Sequence, residues 1–225
     1  MANSEIIGAG QDTARRAPKK YQVIYADPPW TMGKSHKARV YCPQYDTMDL
    51  DSICSLPVSE IAAKNAALFL WCLNGQIENA IRVMHSWGFS LRTVAFVWVK
   101  TSRSTGQPNC RVGHWTLNGT EQCLLGVRGS MRKVTMNVRQ VYMGPRQRHS
   151  QKPEEIRNRI VDLFGDVPRI ELFARQRVEG WDAWGNEIHG SPVLGEESPA
   201  QNTMEICHTA PNTAMAKCQQ VELGL

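Results

Sequence analysis

Along the middle of the chain, apolar and polar positions follow two alternating regimes. Short β-rich runs, almost continuously apolar, are separated by stretches in which apolar residues recur every three to four positions. Tyr21–Ala26 (YQVIYA) is stopped by a proline pair, which predicts a strand that ends in a turn. Ala66–Cys72 (AALFLWC), Thr93–Val99 (TVAFVWV), Gln122–Val127 (QCLLGV) and Arg169–Ala174 (RIELFA) predict further strands. Between them, Ile77, Ile81, Met84 and Trp87 share one helical face, with Asn74 as the candidate cap and Gly88 as the stop. Pro153, Glu154 and Glu155 open another helix, with Ile156, Ile160, Leu163 and Phe164 inward and Gly165 closing it. Strands this apolar must be covered on both faces. The pattern therefore predicts an α/β fold with a central, mostly parallel sheet and helices on both sides. Such sheets bind ligands beyond the carboxyl ends of their strands, so residues just after strands carry the functional information.

The ends of the chain lack this pattern. Residues 1–19 are polar, and residues 190–225 are rich in Pro, Ser, Thr, Asn and Gln; both are expected to be disordered, as an arm and a tail. The folded body is then residues 20–189. A chain of 225 residues with 42% hydrophobic and 21% charged residues has a globular composition. Its longest unbroken apolar run, Ala66–Leu73, is far short of the ~20 residues a spanning helix requires. No secretory signal pattern opens the chain, so a cytoplasmic location is expected. Seven cysteines at irregular spacing, with no C-x-x-C pair, argue against a disulfide framework. Cys110, His114 and Cys123 match no standard zinc spacing, and no metal is expected.

The net charge of +5 is unevenly spread. The tail is acidic. Thr31–Tyr45 has no acid but contains Lys34, Lys37 and Arg39, and Gly129–Lys152 has none but contains Arg132, Lys133, Arg139, Arg146, Arg148 and Lys152. Such segments suit a polyanion, nucleic acid first, and are equally compatible with a solvated basic surface.

Three residue groups follow strands. The first is Asp27-Pro28-Pro29-Trp30. Asp27 is an acceptor at a strand end. The prolines fix the backbone and bring no N–H, which leaves the Pro28 carbonyl rigid and able to accept a bond. Trp30 adds an aromatic face. Two fixed acceptors beside an aromatic plane suit a planar ring bearing an NH₂ group, such as adenine. The lone pair of that amine is delocalised into the ring; acceptors on both N–H bonds draw the nitrogen toward a tetrahedral shape and make it nucleophilic. The second group is Arg148–Glu155, where Lys152 stands just before a helix N-terminus and creates an anion site for a carboxylate or a phosphate. The third is Glu171, Phe173 and Arg175, expected on one face of a strand, followed by Gly185-Asn186-Glu187. Trp181 and Trp184 are expected in the core.

YADPPW resembles the catalytic motif of amino-methyltransferases that use S-adenosylmethionine. FLW (Phe69–Trp71), VWVK (Val97–Lys100), GHW (Gly113–Trp115), EQCLLGV (Glu121–Val127), KPEE (Lys152–Glu155) and IELFAR (Ile170–Arg175) extend the likeness. Over residues 21–188 the chain is similar to the family of the mRNA N6-adenosine methyltransferase catalytic subunit, the MT-A seventy family, in its phage and bacterial form.

The resemblance implies a circularly permuted class I, Rossmann-like methyltransferase fold. It implies catalysis at Asp27, Pro28, Pro29 and Trp30, with Asp27 also near the cofactor. It assigns Lys152 to the cofactor carboxylate, Glu171, Phe173 and Arg175 to the cofactor pocket, and Asn186 and Glu187 to the ribose hydroxyls. Tyr45 would line the target-adenine pocket, and Lys34, Lys37, Arg39, Arg111 and His114 would contact substrate. The acidic–aliphatic pair that some members carry on a preceding strand is missing, and Asp12 lies in the polar arm; the contact to the cofactor's adenine is expected to come from elsewhere or to be weaker. The expected function is S-adenosylmethionine-dependent methylation of adenine N6 in DNA. The alternatives are an RNA methyltransferase and a catalytically silent nucleic-acid-binding subunit. A homo-oligomer is compatible with either.

Overall fold

The computed structural model describes residues 19–31, 46–113, 115–147, 151–189 and 194. Nearly all of the expected arm and tail lie outside the described residues. So do Lys34, Lys37, Arg39, Tyr45 and His114, and with them their assignment to substrate.

Seven strands form the main sheet: β1 (Tyr21–Ala26), β2 (Ala62–Cys72), β3 (Ser90–Thr101), β6 (Thr120–Arg128), β7 (Val141–Pro145), β8 (Arg169–Leu172) and β9 (Asp182–Trp184). Their order is β7-β3-β6-β2-β1-β8-β9. β1 pairs in parallel with β2 and β8, β8 with β9, and β3 with β7; β6 is antiparallel to both neighbours. A small hairpin, β4 (Arg111–Val112) and β5 (Leu117–Asn118), stands in the β3–β6 connection.

Period-2 alternation divides the strand side chains between two cores. On one face Ile24, Ala26, Leu68 and Leu70 pack with α1 (Leu50–Cys54), α2 (Val58–Ile61) and α3 (Ile77–Ser86), through Ile53, Val58, Val83 and Met84. Gly126 of β6 lets α3 approach: a Cβ there would lie 2.6 Å from the Met84 sulfur. On the other face Tyr25, Phe69, Trp71 and Trp98 pack with α4 (Glu154–Phe164) through Ile156, Ile160 and Phe164. Leu68, Phe69 and Leu70 are fully buried, each contributing about 1.5–3 kcal/mol. Leu194, within the expected tail, packs against the first core.

The expected strands and the two expected helices are present, with differences at their ends. Asn74 does not cap α3; it lies in a 3-10 turn and its side chain bonds Thr120 and Gln122 across the sheet. The expected strand through Ala174 ends at Leu172, because Phe173 adopts a left-handed conformation with φ 60°. Phe173 therefore turns toward the first core, against Trp184, while Glu171 faces the second, and the two do not share a face.

Candidate active site

The register brings three chain exits into one row. Ala26 pairs with Leu172, and Leu172 with Trp184, so Asp27, Phe173 and Gly185 leave the sheet side by side at the carboxyl ends of β1, β8 and β9. β2 and β3 end on the same rim, and β6, being antiparallel, begins there.

Backbone bonds hold the Asp27–Trp30 turn. The Trp30 N–H donates to the Pro28 carbonyl at 2.9 Å, closing a three-residue turn around Pro29. The Met48 N–H donates to the Pro29 carbonyl at 2.9 Å, and Thr31 returns a bond to the Met48 carbonyl. The Pro28 carbonyl is thus already an acceptor; its second lone pair is what remains for a ligand. Trp30 also departs from the expected aromatic platform. Only 8% of it is exposed, it packs within the first core, and its indole donates to the Trp71 carbonyl at 3.1 Å. It anchors the turn.

Asp27 follows Tyr25 by two positions, so its carboxylate emerges on the α4 side of the rim. Lys152, immediately before Pro153 and α4, donates to it at 2.6 Å. Lys152 also contacts Glu121 at 3.3 Å and lies over the Trp71 ring. Glu121 in turn bonds Lys100. The result is a chain of alternating charge, Lys100–Glu121–Lys152–Asp27, assembled from β3, β6, the entry to α4 and the exit of β1. Each strand member sits two positions from a residue of the second core: Trp98, Cys123 or Tyr25. The Asp27 side chain remains 26% exposed, against 10–13% for the other three.

These surroundings set the charges. Burial raises the Asp27 carboxyl above its ordinary pKa, with Lys152 acting in the opposite direction. Burial disfavours charged Lys152, but Asp27 and Glu121 outweigh it and hold the ammonium firmly protonated. Burial likewise opposes ionised Glu121, and Lys152 and Lys100 outweigh it, leaving its carboxyl below the ordinary range. Burial lowers Lys100 despite its partner.

Beside this chain, Arg175 lies 3.8 Å from Glu187, and Asn186 and Glu187 are exposed. Gly185 lets this segment close on β8: a Cβ would stand 2.3 Å from the Ala174 carbonyl. Glu171 stands apart. Both its oxygens are taken by Arg157 of α4, at 2.7 and 2.8 Å, in a buried bidentate pair. Arg111 is exposed on β4, within the β3–β6 connection.

Among the described residues no cluster of His, Cys, Asp or Glu could hold a metal ion, and no helix is long and apolar enough to cross a membrane. Glu121 and Lys100 were not candidates in the sequence, although EQCLLGV and VWVK contain them. The available signal was a charged residue at the rim end of each apolar strand.

The sequence profile of the MT-A70 family matches residues 21–187, a span that takes in the Asp27 turn, the charge chain and Glu187. The chain belongs to the MT-A70 family. It is 35% identical over 207 residues to the type II methyltransferase M.MunI of Mycoplasma sp, covering 83% of this chain and 84% of that protein. It is 30% identical to the N(6)-adenosine-methyltransferase subunit METTL3 of Danio rerio and to the METTL3 catalytic subunit of Homo sapiens, in each case over 81% of this chain. The chain spans only 30% of the length of those METTL3 proteins. As an MT-A70 member it has the Rossmann-like methyltransferase fold and is an N6-adenine methyltransferase.

Proposed function

We propose that this MT-A70 protein transfers a methyl group from S-adenosylmethionine to N6 of adenine in DNA. The observation that carries the reading is Asp27: a part-exposed carboxylate at the strand rim, beside a proline carbonyl locked in a tight turn. The match along 84% of a type II methyltransferase supports DNA more than the partial matches to adenosine methyltransferases support RNA.

The rim residues fit the cofactor. A charged Lys152 stands ready for its carboxylate. The Ala174–Gly185 close approach brings exposed polar groups, Asn186 and Glu187, beside Arg175 and Phe173, where a ribose and an adenine would be received. When bound, S-adenosylmethionine supplies an electrophilic methyl group on a sulfonium. Asp27 accepts one N–H of the target amine and the Pro28 carbonyl the other, which directs the nitrogen lone pair away from the ring. Positive charge would grow on that nitrogen as the methyl group leaves sulfur, which departs as a neutral thioether; the Asp27 carboxylate stabilises that charge, and being part-exposed it can pass the surplus amine proton to solvent. Such bonds accelerate the reaction because they strengthen in the transition state. Lys152, held between Asp27 and Glu121, fixes the position of the carboxylate and would bind the cofactor. Glu171, engaged by Arg157, is left out of the cofactor set.

Mass spectrometry of nucleosides after incubation with S-adenosylmethionine and either DNA or RNA tests the reading directly. N6-methyldeoxyadenosine is expected; methylation of RNA alone would reassign the polymer, and none in either would defeat the proposal.

The charge chain also predicts a pH dependence. Asp27 must be ionised to accept the amine N–H, so activity is lost as pH falls through its pKa. Burial has raised that pKa, so the acid limb of kcat/KM for the nucleic acid lies above the range of an ordinary aspartate. In Lys152→Met the opposing charge is gone and the limb moves to still higher pH, with weaker cofactor binding. Profiles at saturating cofactor check this; a limb that stays put or moves down would separate Lys152 from Asp27.

A further inference from the structure

The β4–β5 hairpin presents its apolar side chains outward. Trp115 is 98% exposed, Val112 91% and Leu117 66%. The other six tryptophans are buried or half-buried. One exposed apolar side chain would mean little, but three large ones gathered on a single short hairpin mark an interaction surface.

Its position and charge indicate what it contacts. The hairpin springs from the catalytic rim: Lys100 at the end of β3 and Glu121 at the start of β6 flank the connection and belong to the charge chain that reaches Asp27. From Lys100 to Thr120 there is no acidic residue, while Arg103 and Arg111 are exposed. Arg103 donates to the Arg146 carbonyl at 3.0 Å, which joins this segment to the acid-free stretch Gly129–Lys152, where Arg146 is also exposed. A second copy docking here about a twofold axis would set arginines against arginines, with no acid in the segment to compensate. A polyanion with unstacked aromatic rings meets both features at once: phosphates for the arginines and a base face for the indole.

We infer that Trp115 is a stacking platform for a base of the substrate strand, with Arg103, Arg111 and Arg146 carrying the neighbouring phosphates. The inference rests on the nucleic-acid reading of the site and adds a contact that holds the strand while the target adenine is turned into the Asp27 turn. It makes Trp115 a residue of substrate binding, not of methyl transfer.

The test combines kinetics with fluorescence on the full chain, using a short adenine-containing DNA duplex as probe. Because Trp115 lies at the surface, Trp115→Ala should fold as the parent does. KM for the duplex should rise about 5- to 150-fold, which is the ~1–3 kcal/mol of base–aromatic stacking, with kcat at saturation little changed. Trp115→Phe should restore most of the affinity and Trp115→Leu should not. Acrylamide quenching of the exposed indole should be suppressed by the duplex and be insensitive to protein concentration without it. An unchanged KM, or equal rescue by Leu, overturns the platform. Quenching that falls with protein concentration alone, together with a dimer in sedimentation, assigns the hairpin to a second copy and also overturns it. Binding that protects Trp115 without any methyl transfer would remove the reaction and leave the platform standing; turnover with an unprotected Trp115 would do the reverse.

Discussion

Asp27→Asn should lower methyl transfer by at least about 10²–10³-fold while cofactor binding remains measurable. The amide keeps the size of the carboxylate and one acceptor oxygen, but loses the charge opposite the developing positive nitrogen. Its NH₂ group also offers donors where the target amine needs acceptors. Losing a single preorganised polar contact of this kind costs about that factor in kcat. Hydrogen bonds to a charged group contribute about 1.5–3 kcal/mol, a value of the same order. Lys152 keeps Glu121 as a partner, so the site should persist. Single-turnover transfer of labelled methyl, with calorimetry of cofactor binding, checks both halves. Turnover near that of the parent would remove the carboxylate from the reaction.

The largest effect on stability is expected at the Arg157–Glu171 pair. Both side chains are buried and joined by two short bonds. Glu171→Ala leaves a guanidinium uncompensated beneath the sheet, and breaking such a pair costs about 3–5 kcal/mol. That is a large part of the ~5–15 kcal/mol by which a domain is stable. Burial already raises the Glu171 carboxyl against the pull of Arg157, and Arg157 Nη1 is buried with no hydrogen-bond partner among the described residues. The pair is therefore costly even when intact. Arg157→Met combined with Glu171→Met should recover most of the lost stability. Urea unfolding of Arg157→Met, Glu171→Met and the double variant measures the coupling. A double variant as unstable as Glu171→Ala would refute this account. One that is stable but cannot bind cofactor would return Glu171 to the cofactor pocket.

The fold was legible in the sequence because each strand advertises itself. YQVIYA, AALFLWC and TVAFVWV are too apolar to be anything but covered strands, and the Ile156–Phe164 pattern admits only one helix. Asp27 was legible for the same reason: a charged residue directly after a buried strand has a rim to stand on. What escaped were facts of register and local conformation. Nothing in RIELFA signals that Phe173 will turn left-handed, so Glu171 and Phe173 looked like neighbours and became residents of opposite cores. Glu121 and Lys100 lie 94 and 73 positions from Asp27 along the chain. Only the antiparallel return of β6 brings them to Lys152. Trp30 looked like a platform because tryptophan is flat; its indole N–H found a buried carbonyl instead.

That antiparallel strand has a consequence for how the protein can change. In a wholly parallel sheet each connection must travel back across the molecule before the next strand begins. Here the chain leaves β3 and enters β6 at the same edge, so the intervening segment is a graft whose two ends are fixed close together. Each doubling of such a segment adds only about 0.6 kcal/mol of closure entropy. Descendants can therefore lengthen, shorten or exchange it while the rim around Asp27 is inherited intact.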